Sequence, residues 1–425
     1  MSKSTQADRN KAVVIGASMA GLSAARVLAD HFAEVLVLDS DELPDERSDR
    51  RGVPQGRHFH TLLAAGQQRL EAWFPGLRDS LVADGAVLIS STNDGYCYMG
   101  GSVRKRCESD MVWPACSRAL LDYHVRKRVT ALDNVTIRER TKVAGLTHTD
   151  DRARITGVTL SDGTEIAADL VIDAAGRTGR SVTWLKQLDY EPPRVDNVVV
   201  KIGYATCLVD RTDSDPADWK FALVGSDPPK RMGVAFPVEG DRWIVTLAGY
   251  HDDHASTKPD EFDAFARSLP VPAIADLLDQ GGERTSVVTH KLPSSQWRRV
   301  EKLKRFPEGM IMLGDCILSL NPIYGQGMTS SILQADALRQ TLEDKSGCAD
   351  KAFIRTFYRR AAKPVGVLWQ MATGGDFTVA GTTGPKPRGA DLMNGLIQRY
   401  MKRIALAGQV SDRVNVHVLK VVNLL

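Results

Sequence analysis

Lys11-Ala12-Val13-Val14-Ile15-Gly16-Ala17-Ser18-Met19-Ala20-Gly21-Leu22 decides how the rest of the chain is read. The apolar run Ala12 to Ile15 is long enough only for a buried parallel strand, and it passes without spacer into a glycine-bounded turn. A helical pattern follows at once, Leu22 to Ala29, and a second apolar strand, Glu34 to Leu38, ends on Asp39. That is the order of a βαβ unit whose first turn holds a dinucleotide. Gly16 permits the tight turn and Gly21 lets helix and strand approach. The amides of Ala17, Ser18, Met19 and Ala20 are expected to face a pyrophosphate, with the positive end of the helix dipole behind them. Asp39, followed by Ser40, lies close to the offset of about 20 residues at which an acid meets the adenosine ribose, and its charge disfavours a 2′-phosphate. Ser18 replaces the middle glycine of G-x-G-x-x-G, which keeps the backbone near the phosphates provided its φ is negative.

The chain of 425 residues, 43% hydrophobic and 25% charged, has the composition of a globular enzyme. A net charge of +3 gives no argument for nucleic acid, and the basic groups at 104–106, 126–128 and 302–305 read as solvated faces. Cys97, Cys107, Cys116, Cys207, Cys316 and Cys348 form no C-x-x-C pair and are expected to be reduced thiols of a cytoplasmic protein. The leader Met1 to Asn10 is polar, and no run approaches the ~18 apolar residues of a membrane span, so neither secretion nor membrane insertion is expected.

After a charged loop, Asp41 to Arg51, polar and aromatic groups crowd from Gly52 to Thr61, just before a predicted helix from Leu62 to Phe74. Such density beside a dinucleotide turn reads as lining. His58 and His60 read as hydrogen-bonded structural histidines; no third ligand at metal spacing accompanies them and no metal is expected. Turns at Asn93-Asp94-Gly95 and Gly100-Gly101 mark hairpins. Ser117 is the expected cap of a helix running to Val129, and Arg118 at its start reaches the phosphate or ribityl region of the ligand or else joins a surface ion pair. Alternating strands at 135–138, 141–146, 153–160 and 165–168 return to a buried strand, Asp169 to Arg177. From Trp184 to Lys302, longer strands (198–206, 232–238, 242–248) and one helix (260–267) read as an inserted β-rich domain, a natural substrate wall. Gly309 to Asp315 resumes the parallel sheet, and a helix with one apolar face begins at Thr329. The tail ends in a stripe of Val410, Val414, Val418, Val421, Val422 and Leu425, expected to pack in the core or against a partner.

Three distant segments together resemble the single-component flavin monooxygenases of the para-hydroxybenzoate hydroxylase-like superfamily (group A), over residues 11 to 340. Beyond the first turn, Gly314-Asp315 with Pro322 and Gly325-Gln326-Gly327-Met328 resembles the second FAD motif. In that motif the aspartate meets the ribityl chain and the helix start points at the flavin pyrimidine. Asp173-Ala174-Ala175-Gly176 stands at the family's middle motif, with Ala175 where that motif carries aspartate. Arg51-Gly52-Val53-Pro54-Gln55 with His58 and His60, Cys116 to Asp122, Asp241 to Thr246 and Asn321 to Gly325 are most similar to epoxidases that act on polyenes in polyether polyketide biosynthesis.

The resemblance implies an α/β fold. Residues 1–80, 109–183 and 303–345 would form a discontinuous Rossmann-like FAD-binding domain of the glutathione-reductase type, 81–108 and 184–302 a β-rich substrate domain, and 346–425 a C-terminal helical region. It also implies FAD as cofactor, with contacts from the residues already named at 16–21, 39 and 40, from Arg51, Gln55, Arg118, Val143 and Asp173, and from Gly314, Asp315, Pro322 and Gly325 to Met328. The implied reaction inserts one atom of O2 into an apolar natural product, a polyene or a polycyclic or aromatic compound, through a flavin C4a-hydroperoxide. Epoxidation of an alkene is the leading expectation. Aromatic or aliphatic hydroxylation, oxygen-independent reduction of isoprenoid double bonds and a redox-neutral flavoprotein remain alternatives; the W-x-W-x-I-P stretch of halogenases is absent. Electrons would come from NADPH or NADH bound transiently, or from a partner flavin reductase. The sequence assigns no catalytic side chain; Tyr324 is a candidate to line the flavin, with packing as its other reading.

Overall fold

The computed structural model describes residues 9–226, 230–344, 349–386, 395, 399–400, 403–404 and 406–425. The expectations for the leader before Arg9 and for Cys348 fall outside these residues. β1 (Lys11–Ile15), α1 (Met19–Ala29) and β2 (Glu34–Leu38) form the expected βαβ unit. β1 lies at the centre of a five-stranded parallel sheet, in the order Met310–Met312, Leu170–Asp173, β1, β2, Val135–Arg138. Its continuous apolar run follows from coverage on both faces. Ala12 and Val14 enter a core with α1 and with the helices Arg118–Thr130 and Gly327–Asp344, whereas Val13 and Ile15 meet Ile155, Val158 and Trp184 on the other side. There a small antiparallel sheet of Val143–His148, Ile155–Leu160 and Glu165–Ala167 covers the parallel one. Trp184 therefore belongs to this layer, on the helix Ser181–Gln187, and not to the β-rich part that the sequence assigned it to.

An eight-stranded sheet stands beside the parallel one. Its order is Leu318–Ser319, Val288–Arg298, Val195–Asp210, Arg242–Tyr250, Arg231–Val238, Phe221–Ser226, Gly95–Met99, Ser102–Val103. Gly100 and Gly101, at φ +65° and +88°, close the last hairpin, which needs left-handed backbone at both positions. Unanticipated elements include Phe221–Ser226, the helix Ala273–Gln280 and Val288–Arg298. The last carries Pro293 and paired serines that read as a loop, yet Ser294 and Ser295 are buried as hydrogen-bond partners of Arg177 and Asn321.

The C-terminal helix, Asp412–Val422, does not bury the valine stripe in the core, one of the two placements expected for it. Val410 is 78% and Val421 64% exposed, and the face turned to the body carries Asn415 and Leu419. Polar ties fix that face: Asn415 Nδ2 donates to Lys105 O (2.9 Å), Asn423 Oδ1 accepts from Ala64 N (3.1 Å), and Lys105 pairs with Asp412 (2.8 Å). No described helix is long and apolar enough to cross a membrane.

A methyl group on Gly21 would lie 1.7 Å from the carbonyl oxygen of Gly16. Gly21→Ala is therefore expected to lower stability by about 3 kcal/mol or more, because the strain falls on backbone. Gly374→Ala, at a helical position with open space around it, should raise stability by about 0.5–1 kcal/mol. Urea unfolding midpoints of the two variants check both signs.

Candidate cofactor and substrate site

The cleft is built first by a carboxylate that ties two loops to the β1–α1 turn. Asp39 Oδ2 accepts from Ala17 N (2.6 Å) and from Arg50 Nη2 (3.0 Å), and Oδ1 accepts from Asp41 N (2.8 Å). Arg50 Nη1 donates to Ala17 O (2.7 Å), so the guanidinium clamps strand end and turn together. With Oδ2 fully engaged, Oδ1 keeps room for one more donor. Ser18 has φ −97°, the negative value the turn requires. Its hydroxyl accepts from Arg118 Nη2 (3.1 Å) instead of capping α1. The first free amides of α1 therefore stay available to an anion, with Arg118 beside them. Arg118 itself is 7% exposed and held by Asp122 (2.7 Å), so its ion pair is buried and not on the surface.

The opposite lip is the Gly314–Cys316 turn and the start of the helix Gly327–Asp344. Gly314 and Gly325 adopt φ +72° and +63°, and side chains there would strike Ala20 and Thr61. Burial pushes the Asp315 carboxyl up to about 6, against the pull of Arg118, Arg177 and Arg298.

The third wall comes from the large sheet. Thr206 and Thr246 are cross-strand partners, and Tyr204 stands opposite His290. Phe59 N donates to Thr246 Oγ1 (3.2 Å), the two threonine hydroxyls are 2.7 Å apart, and Thr206 Oγ1 is 2.8 Å from His58 Nδ1. His58 also meets the Tyr204 ring edge-on, at 4.6 Å between centroids. His60 Nδ1 lies 2.9 Å from His58 O. Burial, with the nearby histidines, lowers His58 to about 3, and burial together with Arg118 lowers His60 to about 4, so both rings are neutral near pH 7.

The lining of one cavity of about 580 Å³ includes Gly16, Ser18, Met19, Ala20, Asp39, Ser40, Gln55, Arg118, Val143, Asp315, Pro322, Gly325, Gly327 and Met328. Other residues singled out from the sequence lie elsewhere. Arg51 is exposed and Arg50 takes the inward place. Asp173 is fully buried and accepts from Ala175 N and Ser181 N, leaving Ala174 to Gly176 at the wall. Ala17 gives its amide to Asp39, and Gly314 N donates to Gln334 Oε1. Gly21 and Gln326 are buried behind the surface. Tyr324 turns its hydroxyl to Asp376 Oδ1 (3.0 Å) and does not line the cavity. Tyr204 and the threonine pair carried no local signal, because a strand pattern names a face without naming its neighbour. Among the described residues no group of His, Cys, Asp and Glu is arranged to hold a metal.

The family model described as an FAD binding domain matches residues 9–371. Protein Rv3254 of Mycobacterium tuberculosis (strain ATCC 25618 / H37Rv) is 35% identical over 396 residues, 89% of this chain and 83% of the relative. The structure of PqsL of P. aeruginosa in complex with 2-aminobenzoylacetate superposes with a TM-score of 0.65 at 17% identity, covering 87% of this chain and 96% of that one. 2-methyl-3-hydroxypyridine-5-carboxylic acid oxygenase does so with 0.61 at 18%, covering 86% and 90%. The residues present fit FAD: Gly176 and Gly327 line the cavity with empty space where a Cβ would stand.

Arg50→Met leaves Asp39 buried without its cation and is expected to cost about 3 kcal/mol of stability and most of the FAD affinity; Arg51→Met should change stability by less than about 0.5 kcal/mol. Denaturant titration and flavin fluorescence separate the two. His58 and His60 titrate lower folded than the ordinary 6.5, so the unfolded chain binds more protons below that value and stability falls as pH drops from about 6.5 to about 4. Asp315, raised to about 6, acts in the opposite sense between about 6 and 4. Melting scans across this range should show a net fall in Tm that is flattened in His58→Asn.

Proposed function

The chain belongs to the FAD binding domain family and takes FAD as its cofactor, and on that premise we propose that it is an FAD-dependent monooxygenase of small apolar molecules. One observation carries the reading. At His60, Arg118 and Met328 the cofactor cavity adjoins a second cavity of about 490 Å³, walled largely by Leu62, Leu70, Leu77, Met111, Trp113 and Leu121. A greasy chamber of that size beside the flavin end of the cleft suits an organic substrate held away from water. Reduced FAD, when bound, supplies the electrons that activate O2 for transfer of one oxygen atom.

The chain's residues have distinct tasks in this scheme. The free amides of α1 and Arg118 hold the pyrophosphate, Asp39 Oδ1 the ribose, and Asp315 the ribityl hydroxyls. The amides and dipole of the helix that starts at Gly327 stabilise negative charge on the flavin pyrimidine. Strand Val195–Asp210 closes the other side through Tyr204. NADPH or NADH, or a partner reductase, delivers the electrons. Polyene epoxidation is the finer reading drawn from the motif resemblance; hydroxylation is the second reading, favoured by the polar His60 at the chamber mouth.

Incubation of the FAD-loaded enzyme with reductant, 18O2 and candidate polyenes and phenols checks the class of reaction. The product should gain a single 18O atom by mass spectrometry, and turnover that leaves no label in it would refute oxygen transfer.

A further inference from the structure

His58 and His60 carry opposite hydrogen-bonding polarity, and the protein's own bonds fix which is which. His60 Nδ1 faces the carbonyl oxygen of His58. A carbonyl only accepts, so Nδ1 carries the proton and Nε2 is left as a lone pair. For His58 the order runs through the sheet. Thr246 Oγ1 receives the Phe59 amide proton, and among the described residues its own proton has only Thr206 Oγ1 to go to. Thr206 must then donate to His58 Nδ1, which places the His58 proton on Nε2. The reverse order would strand the hydroxyl proton of Thr246, which is 8% exposed. Neither Nε2 has a protein partner among the described residues, and neither is sealed from the open space. His58 lines the cofactor cavity, and His60 lines both.

Resting on the monooxygenase reading, we propose that His60 is the specificity-determining residue, and that its bare Nε2 selects an apolar substrate bearing a hydroxyl, of the phenol or enol class, over the same skeleton without an O–H. The groups facing His60 leave it this role. Arg118 is engaged by Asp122 and Ser18 and can only donate, His58 lines the cofactor cavity alone, and the chamber wall is mostly apolar, with Gln67, Gln68, Glu71, Arg78 and Asp110 as its larger polar members. A hydroxyl satisfies His60 by giving its proton to Nε2, which neither an ether nor a hydrocarbon can do. Leaving a half-buried acceptor unpaired is what makes such a site discriminate. Burial keeps the His60 ring neutral down to about 4, so the lone pair persists over the working pH range.

The test uses the FAD-loaded enzyme and two probes of nearly equal shape, 1-naphthol and 1-methoxynaphthalene, titrated against the flavin absorption spectrum, with FAD affinity measured in parallel. The naphthol should bind about tenfold or more tightly than its methyl ether. His60→Leu should bring the ratio close to one, and His60→Gln, whose carbonyl restores an acceptor near the same position, should recover part of it. Equal affinities in the wild-type protein, no binding of the naphthol, or a preference that survives His60→Leu would overturn the assignment while leaving the FAD-based reading in place. A protein that takes up no FAD removes both.

Discussion

The structure depends on one close approach: α1 is pressed so near the end of β1 that nothing larger than hydrogen fits between Gly21 and the Gly16 carbonyl. Because the helix begins there without a side-chain cap, its amides and dipole are delivered to the middle of the cleft and not to solvent. The Asp39–Arg50–Ala17 tie then fixes the turn from outside. A buried ion pair contributes little net stability by itself. Here its effect is geometric, since it brings the 41–52 loop to the adenosine end.

Along the cleft the charges follow one design. Arg118, Arg177 and Arg298 all lie near Asp315, yet burial still holds the carboxyl above its ordinary range. The arginines are committed elsewhere: Arg177 to Ser294 and Ser319, Arg298 to the carbonyl groups of Cys316 and Arg177. They serve as struts between the two large sheets, which leaves Asp315 free to bind hydroxyls.

Much of this was legible in the sequence because local rules govern it. β1, α1 and β2, the Ser117 cap and the Gly100-Gly101 hairpin all sit where strand period, capping and left-handed glycine place them. The choice of Arg51 over Arg50 failed for a physical reason: in an irregular loop no periodicity tells which of two adjacent arginines turns inward. Asp173 misled because a carboxylate beside the middle motif binds its own backbone just as well as a ligand. The valine stripe near the C-terminus does not enter the core because hydrogen bonds made by Asn415 and Asn423, not apolar area, decide which face of that helix meets the body. The polarity of His58 was beyond reach, since it is set by Thr206 and Thr246, far along the chain.

Asp376, the last residue of the helix Lys351–Asp376, is fully buried and accepts from Asn321 Nδ2 (2.7 Å) and Tyr324 OH (3.0 Å). Those two residues bracket the turn that leads into Gly325 and Gly327. The aim of the flavin cradle is thus set by a carboxylate about fifty positions downstream of the glycines that define it. Transplanting the three glycine-rich segments into another scaffold would therefore carry over the letters of the cofactor signature without its alignment, and the heritable unit of this site is larger than any motif that announces it.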